Sequence, residues 1–103
     1  MSVPRSKTIC RNLITSAVII SSELYASEQI LSDRKKKLSK AKAEQLRLYL
    51  SNGHRGSSNA LTDRIQELEY DIQYFEGKIQ ELRSEYANLK REANLNNCVG
   101  FPQ

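Results

Sequence analysis

Two thiols and one imidazole are the side chains here best suited to metal binding or nucleophilic chemistry. They are Cys10, His54 and Cys98, with His54 at the midpoint of the two cysteines. Such groups hold zinc when three or four of them converge. A chain that folds back near His54 prevents that, because it brings the cysteines together at one end and carries His54 to the other. The same fold-back suits a disulfide, which needs Cα atoms within roughly 7 Å. Two cysteines without a clear secretory signal make reduced thiols the default expectation, with a Cys10–Cys98 bridge as the alternative. His54, between Gly53 and Arg55, reads as a solvent-exposed loop residue. The sequence holds no nucleophile–base pair, no glycine-rich phosphate loop and no metal motif. The expected catalytic, cofactor-binding and metal-binding sets are therefore empty, and the chain reads as a non-enzyme.

The next chemistry-bearing feature is the basic run Arg34-Lys35-Lys36-Lys37, continued by Lys40, Lys42 and Arg47. On a helix, Lys36, Lys40 and Arg47 point away from the apolar seam described below. Lys35, Lys37 and Lys42 flank that seam. The outward three are the candidate contacts for an anion or a nucleic-acid backbone. The plainer reading is a solvated face plus ion pairs to an acidic partner helix, and the complement exists within the chain. Residues 1–52 hold ten Lys/Arg against four Asp/Glu, whereas residues 57–103 hold five against eight. Glu67, Glu69, Asp71 and Glu76 would lie beside the basic run if the two halves pair. No Arg fork or aromatic ladder supports base readout.

These groups need a scaffold, and a heptad repeat supplies it. Leu61, Ile65, Leu68, Ile72, Phe75, Ile79, Leu82, Tyr86, Leu89 and Ala93 follow one another at alternating steps of four and three. One stripe of a helix is then apolar from end to end and requires another helix to cover it. A weaker repeat precedes it. Cys10, Ala17, Leu24, Leu31, Leu38 and Gln45 are spaced by seven. Leu13, Ile20, Ser27, Arg34, Ala41 and Leu48 follow three residues after each. Between these repeats stand Asn52, Gly53 and Gly56. Of the 4 glycines only Gly77 lies within a helical stretch, and the 2 prolines, Pro4 and Pro102, lie near the ends.

The expected fold is all-α: two long helices in an antiparallel coiled-coil hairpin, assembling into a higher-order helical bundle. One domain spans residues 1–103. Helix 1 covers about 6–51, the loop 52–58, helix 2 about 59–96 and a non-helical tail 97–103. Asn59 or Ser58 caps helix 2. Two registers fit. One, centred near Gly53, sets Ala17 by Leu89, Ser27 by Ile79 and Ala41 by Ile65. The other, centred between Gly56 and Ser57, lies one heptad away. Ile at 65, 72 and 79 with Leu at 68, 82 and 89 would also suit a parallel dimer through helix 2 alone. That dimer sets Asp71 against Glu76 and Lys78 against Arg83. The short break and the opposed charges of the two halves favour the hairpin.

A second apolar stripe lies off the seam of helix 1, carried by Ile14, Val18 and Tyr25, with Ile19 and Ile30 nearby. One partner helix cannot cover both stripes, so this one is a candidate interface with another chain. Tyr70 and Tyr74 on the outward face of helix 2, one turn before Gly77, are a further candidate contact or an ordinary exposed pair.

Length and composition agree with this class. A chain of 103 residues with mean hydropathy −0.60 and net charge +4 builds a thin two-helix core, for which oligomerisation is the usual support. Arg5, Lys7 and Arg11 before the run Leu13–Ile20 loosely resemble a signal peptide. The run is short, Glu23 intrudes, and Leu24 is too large for a cleavage site. In shape the expected hairpin is similar to ROP-type helical hairpins and to the small secreted hairpins of the WXG class, whose Trp-x-Gly turn this chain lacks.

The function expected is a non-enzymatic coiled-coil assembly or adaptor protein, a small structural subunit of a viral, secretion or multiprotein machine. The alternatives are a basic helical-bundle regulator of nucleic acid and a small inhibitor of another protein. Protein partners, including further copies of the chain, are favoured over nucleic acid. No cofactor and no membrane association are expected, and the location expected is the cytoplasm or a macromolecular assembly rather than the exterior.

Overall fold

The computed structural model describes residues 3–52 and 59–102. It contains two α-helices, α1 (Val3–Asn52) and α2 (Asn59–Leu95), which pack against each other as a helical hairpin. Both are long because helix breakers are missing from them. Between Arg5 and Asn52 there is neither Pro nor Gly, and α2 contains only Gly77. Pro4 falls in the first turn of α1, where the missing N–H costs no hydrogen bond, so α1 begins a few residues before Ser6. Asn59 is the first helical residue of α2. Gly53 and Gly56 of the expected break, His54 of the expected loop and the candidate cap Ser58 lie outside the described residues.

The heptads determine what is covered. All ten α2 seam positions from Leu61 to Ala93 are buried or half-buried. So are the twelve α1 positions from Cys10 to Leu48, including the small or polar Ala17, Ser27, Arg34 and Gln45. Among the described residues, no buried side-chain nitrogen or oxygen lacks a hydrogen-bond partner.

The chain forms two compact units. One comprises residues 1–27 and 78–103, the other residues 28–77. In the first, Leu13, Ala17, Ser27, Ile79, Leu82 and Ala93 are buried. In the second, Ala41, Ile65 and Leu68 form a buried cluster flanked by Leu38 and Leu61. That cluster selects the register centred near Gly53, because the alternative would set Ala41 beside Ile72. Small Ala41 leaves room for its larger neighbours, so the interdigitation rests on side-chain size as well as polarity.

Candidate functional site

In the first unit the termini are fastened together. Cys10 and Cys98 form a disulfide with Cα atoms 5.5 Å apart, which corrects the default expectation of reduced thiols. The end of α2 aims Cys98 at its partner. Asn97 adopts φ 55°, the left-handed conformation that terminates helices. The Cys98 N–H then donates to the Ala93 carbonyl at 2.9 Å, and the Asn97 N–H to the Asn94 carbonyl at 3.2 Å. This pair of bonds is a Schellman cap with Asn in the position glycine usually takes.

Beyond the cap the tail turns back. The Phe101 ring lies 5.5 Å from that of Tyr86, and the Tyr86 hydroxyl donates to the Pro102 carbonyl. Tyr86 thus fills a seam position with its ring and anchors the tail with its oxygen. Nothing in the heptad pattern distinguishes Tyr86 for that second task, and the tail has no periodicity to reveal it.

The tail meets the second stripe. Val18, Ser21, Ser22, Tyr25 and Pro102 line an open groove of about 350 Å³. Ile14 is half-buried, but Val18 is 51% exposed and Tyr25 67% exposed, and Ile19 is exposed beside them. The α2 seam therefore leaves this face of α1 uncovered.

In the second unit, charges sort by their angle from the seam. Seam Arg34 and flanking Lys35 and Lys42 cross to α2: Arg34 Nε lies 3.4 Å from Asp71 Oδ2, Lys35 Nζ 3.8 Å from Glu76, and Lys42 Nζ 3.6 Å from Glu69. Lys37 instead pairs within α1, with Asp33 at 3.2 Å, and Arg34 also reaches Asp33 at 2.7 Å. The hydrogen bond from Lys37 is the main cause that holds the Asp33 carboxyl below its ordinary pKa. Desolvation opposes it, and the charges of Lys37 and Arg34 add to it. Among the described residues, Lys36, Lys40 and Arg47 make no ion pair and are exposed.

Tyr70 is 73% exposed, and Tyr74 is exposed with its ring edge-on to Phe75 at 5.1 Å. A Cβ added at Gly77 would meet nothing within 4 Å. Leu46, Tyr49 and Leu50 form an exposed apolar group near the end of α1 that the seam pattern did not bring forward. Their spacing of three and four was the available signal.

The chain matches no protein-family model, no curated protein and no solved structure. Its geometry therefore has to carry the functional reading. Among the described residues, no three His, Cys, Asp or Glu side chains come together as metal ligands, and both cysteines are consumed in the disulfide. No described helix is long and apolar enough to cross a membrane.

Proposed function

We propose that this protein is a non-enzymatic coiled-coil assembly subunit that docks on another protein chain through the Val18–Tyr25 face of α1. The observation that carries this reading is the exposure of Val18 and Tyr25 beside the Pro102 groove. Apolar side chains as exposed as Val18 and Tyr25 on so thin a fold are costly to leave in water, and covering them stabilises the assembly. Ser21 and Ser22 between these residues are small enough to let a partner helix approach.

The disulfide bears on where such an assembly works. A bridge between the only two cysteines supports an oxidising setting over the reducing cytoplasm that composition suggests. A secreted or surface-exposed complex suits it best.

The basic face favours a second reading, a regulator that binds nucleic acid through Lys36, Lys40 and Arg47. These cations are unpaired among the described residues, and a phosphate backbone would neutralise them. The flanking cations, by contrast, are engaged with acidic residues of the same chain, which narrows the positive surface.

The test is the native mass of the purified protein before and after nuclease treatment, with every co-purifying chain identified. The assembly reading predicts a nuclease-resistant mass above one protomer, or a stoichiometric protein partner. A lone protomer with no partner, or a mass that collapses with nuclease, overturns it.

A further inference from the structure

We propose that the outward face of α1 between residues 36 and 50 is a docking surface for the outward face of α2, residues 63–77, of a second copy of this chain. The inference rests on the assembly reading above and specifies a contact that reading leaves open. Both faces belong to the same compact unit and consist of exposed residues.

Charge is the first argument. The outward cations of α1 have no ion pair within the chain among the described residues. Asp63 and Glu67 of α2 have none either among the described residues, since its cross-helix pairs use Glu69, Asp71 and Glu76. One face is therefore basic and the other acidic. Lys36 and Asp63 point away from the shared seam, and Lys40 and Glu67, which border the grooves between the helices, make no ion pair across them among the described residues. A second copy offers each face its complement.

Register is the second argument. Laying α1 of one copy parallel to α2 of the next, with an offset of 27 residues, sets Lys36 against Asp63 and Lys40 against Glu67. The same offset sets Ala43 against Tyr70 and Leu50 against Gly77, a small residue facing a large one in both cases. Leu50 is 74% exposed, and the space above Gly77 is open. Arg47 falls over Tyr74, whose ring face would attract a guanidinium. Exposed charge pairs alone contribute little, so these apolar and aromatic contacts supply the area a stable contact needs.

The contact joins two different faces, so each copy retains one free face of each kind. Such an interface propagates into an open array, unlike the two-fold contact of a simple dimer. Neighbouring copies would alternate in direction, because α1 and α2 run antiparallel within each.

Charge exchange tests it. The variant Lys36→Asp/Lys40→Glu carries acid on both faces, and Asp63→Lys/Glu67→Lys carries base on both. Each alone should have a lower sedimentation mass than the parent at low salt, with unchanged helix content. An equimolar mixture should regain the parent mass, because each variant then meets its complement. The parent mass should fall as salt rises toward about 1 M, where screening is nearly complete. The proposal is overturned if the parent is a single protomer, if either variant keeps the parent mass, or if the mixture fails to regain it. It is also overturned if nuclease alone lowers the parent mass, which would assign the basic face to nucleic acid. Loss of partner binding on Val18→Glu, with this exchange series inert, would remove the lateral contact and leave the docking role intact.

Discussion

Ala41 on α1 and Ile65 on α2 lie in one buried cluster, a small side chain facing a large one, at 5% and 7% exposure. The hairpin is held by repeats of this fit, and its sensitivity should follow from it. Ile72→Ala removes a buried side chain from the same unit and should cost about 2–5 kcal/mol. Phe75 is half-buried, so Phe75→Ala should cost less. Thermal unfolding followed by circular dichroism reads both. An unchanged melting temperature in the two variants would refute the heptad seam.

The Cys10–Cys98 disulfide closes the chain over a sequence separation of 88 residues. Loop-closure entropy of that length corresponds to stabilisation on the order of 4 kcal/mol. Reductant, or the double variant Cys10→Ser/Cys98→Ser, should therefore lower the melting temperature markedly. It should also free the tail, which proteolysis near Val99 would detect. Equal melting curves with and without reductant would contradict the bridge.

Gly77 is exposed in mid-helix, and an added Cβ meets nothing. Gly77→Ala should raise the stability of the single hairpin by about 0.5–1 kcal/mol through helix propensity. If Leu50 of a second copy packs there, the same change should weaken self-association. Higher thermal stability together with lower native mass is the expected combination.

Asp33 is paired with both Lys37 and Arg34. Its carboxyl is held below its ordinary pKa, chiefly by the Lys37 hydrogen bond. A depressed carboxylate pKa contributes stability above the unfolded value, and that contribution is lost as pH falls through the folded one. The side chain is exposed, so the effect on stability is small. Carbon-detected NMR titration should place Asp33 below the ordinary aspartate value. Lys37→Ala should move its midpoint upward.

The architecture was largely legible because coiled-coil packing repeats. Each seam position repeats the same environment, so ten apolar residues in phase are enough to specify the buried stripe of α2. The cross-helix pairs of Lys35 and Lys42 also follow from helical angle, whereas Lys37, at a similar angle, pairs within α1 with Asp33. Features that occur once were harder to read. Two registers a heptad apart bury similar side chains, and only the cluster of Ala41 with Ile65 and Leu68 separates them. The disulfide depends on the left-handed turn at Asn97, a conformation with no periodic signal. The tail contacts of Tyr86 with Phe101 and Pro102 are likewise local. The Leu46–Leu50 group lies off the seam, whose positions in that turn are held by Gln45 and Leu48.

Val18→Glu tests the central claim most directly. Val18 lies outside the seam and is half exposed, so the substitution should leave helix content and melting temperature nearly unchanged. It would place an unpaired charge in the proposed docking face, where burial without a partner is costly. Native mass and capture of the co-purifying chain are measured for parent and variant side by side. The account predicts loss of the captured partner or a lower native mass in the variant. An unchanged mass with undiminished capture would contradict it, because the Val18–Tyr25 face would then not be an interface.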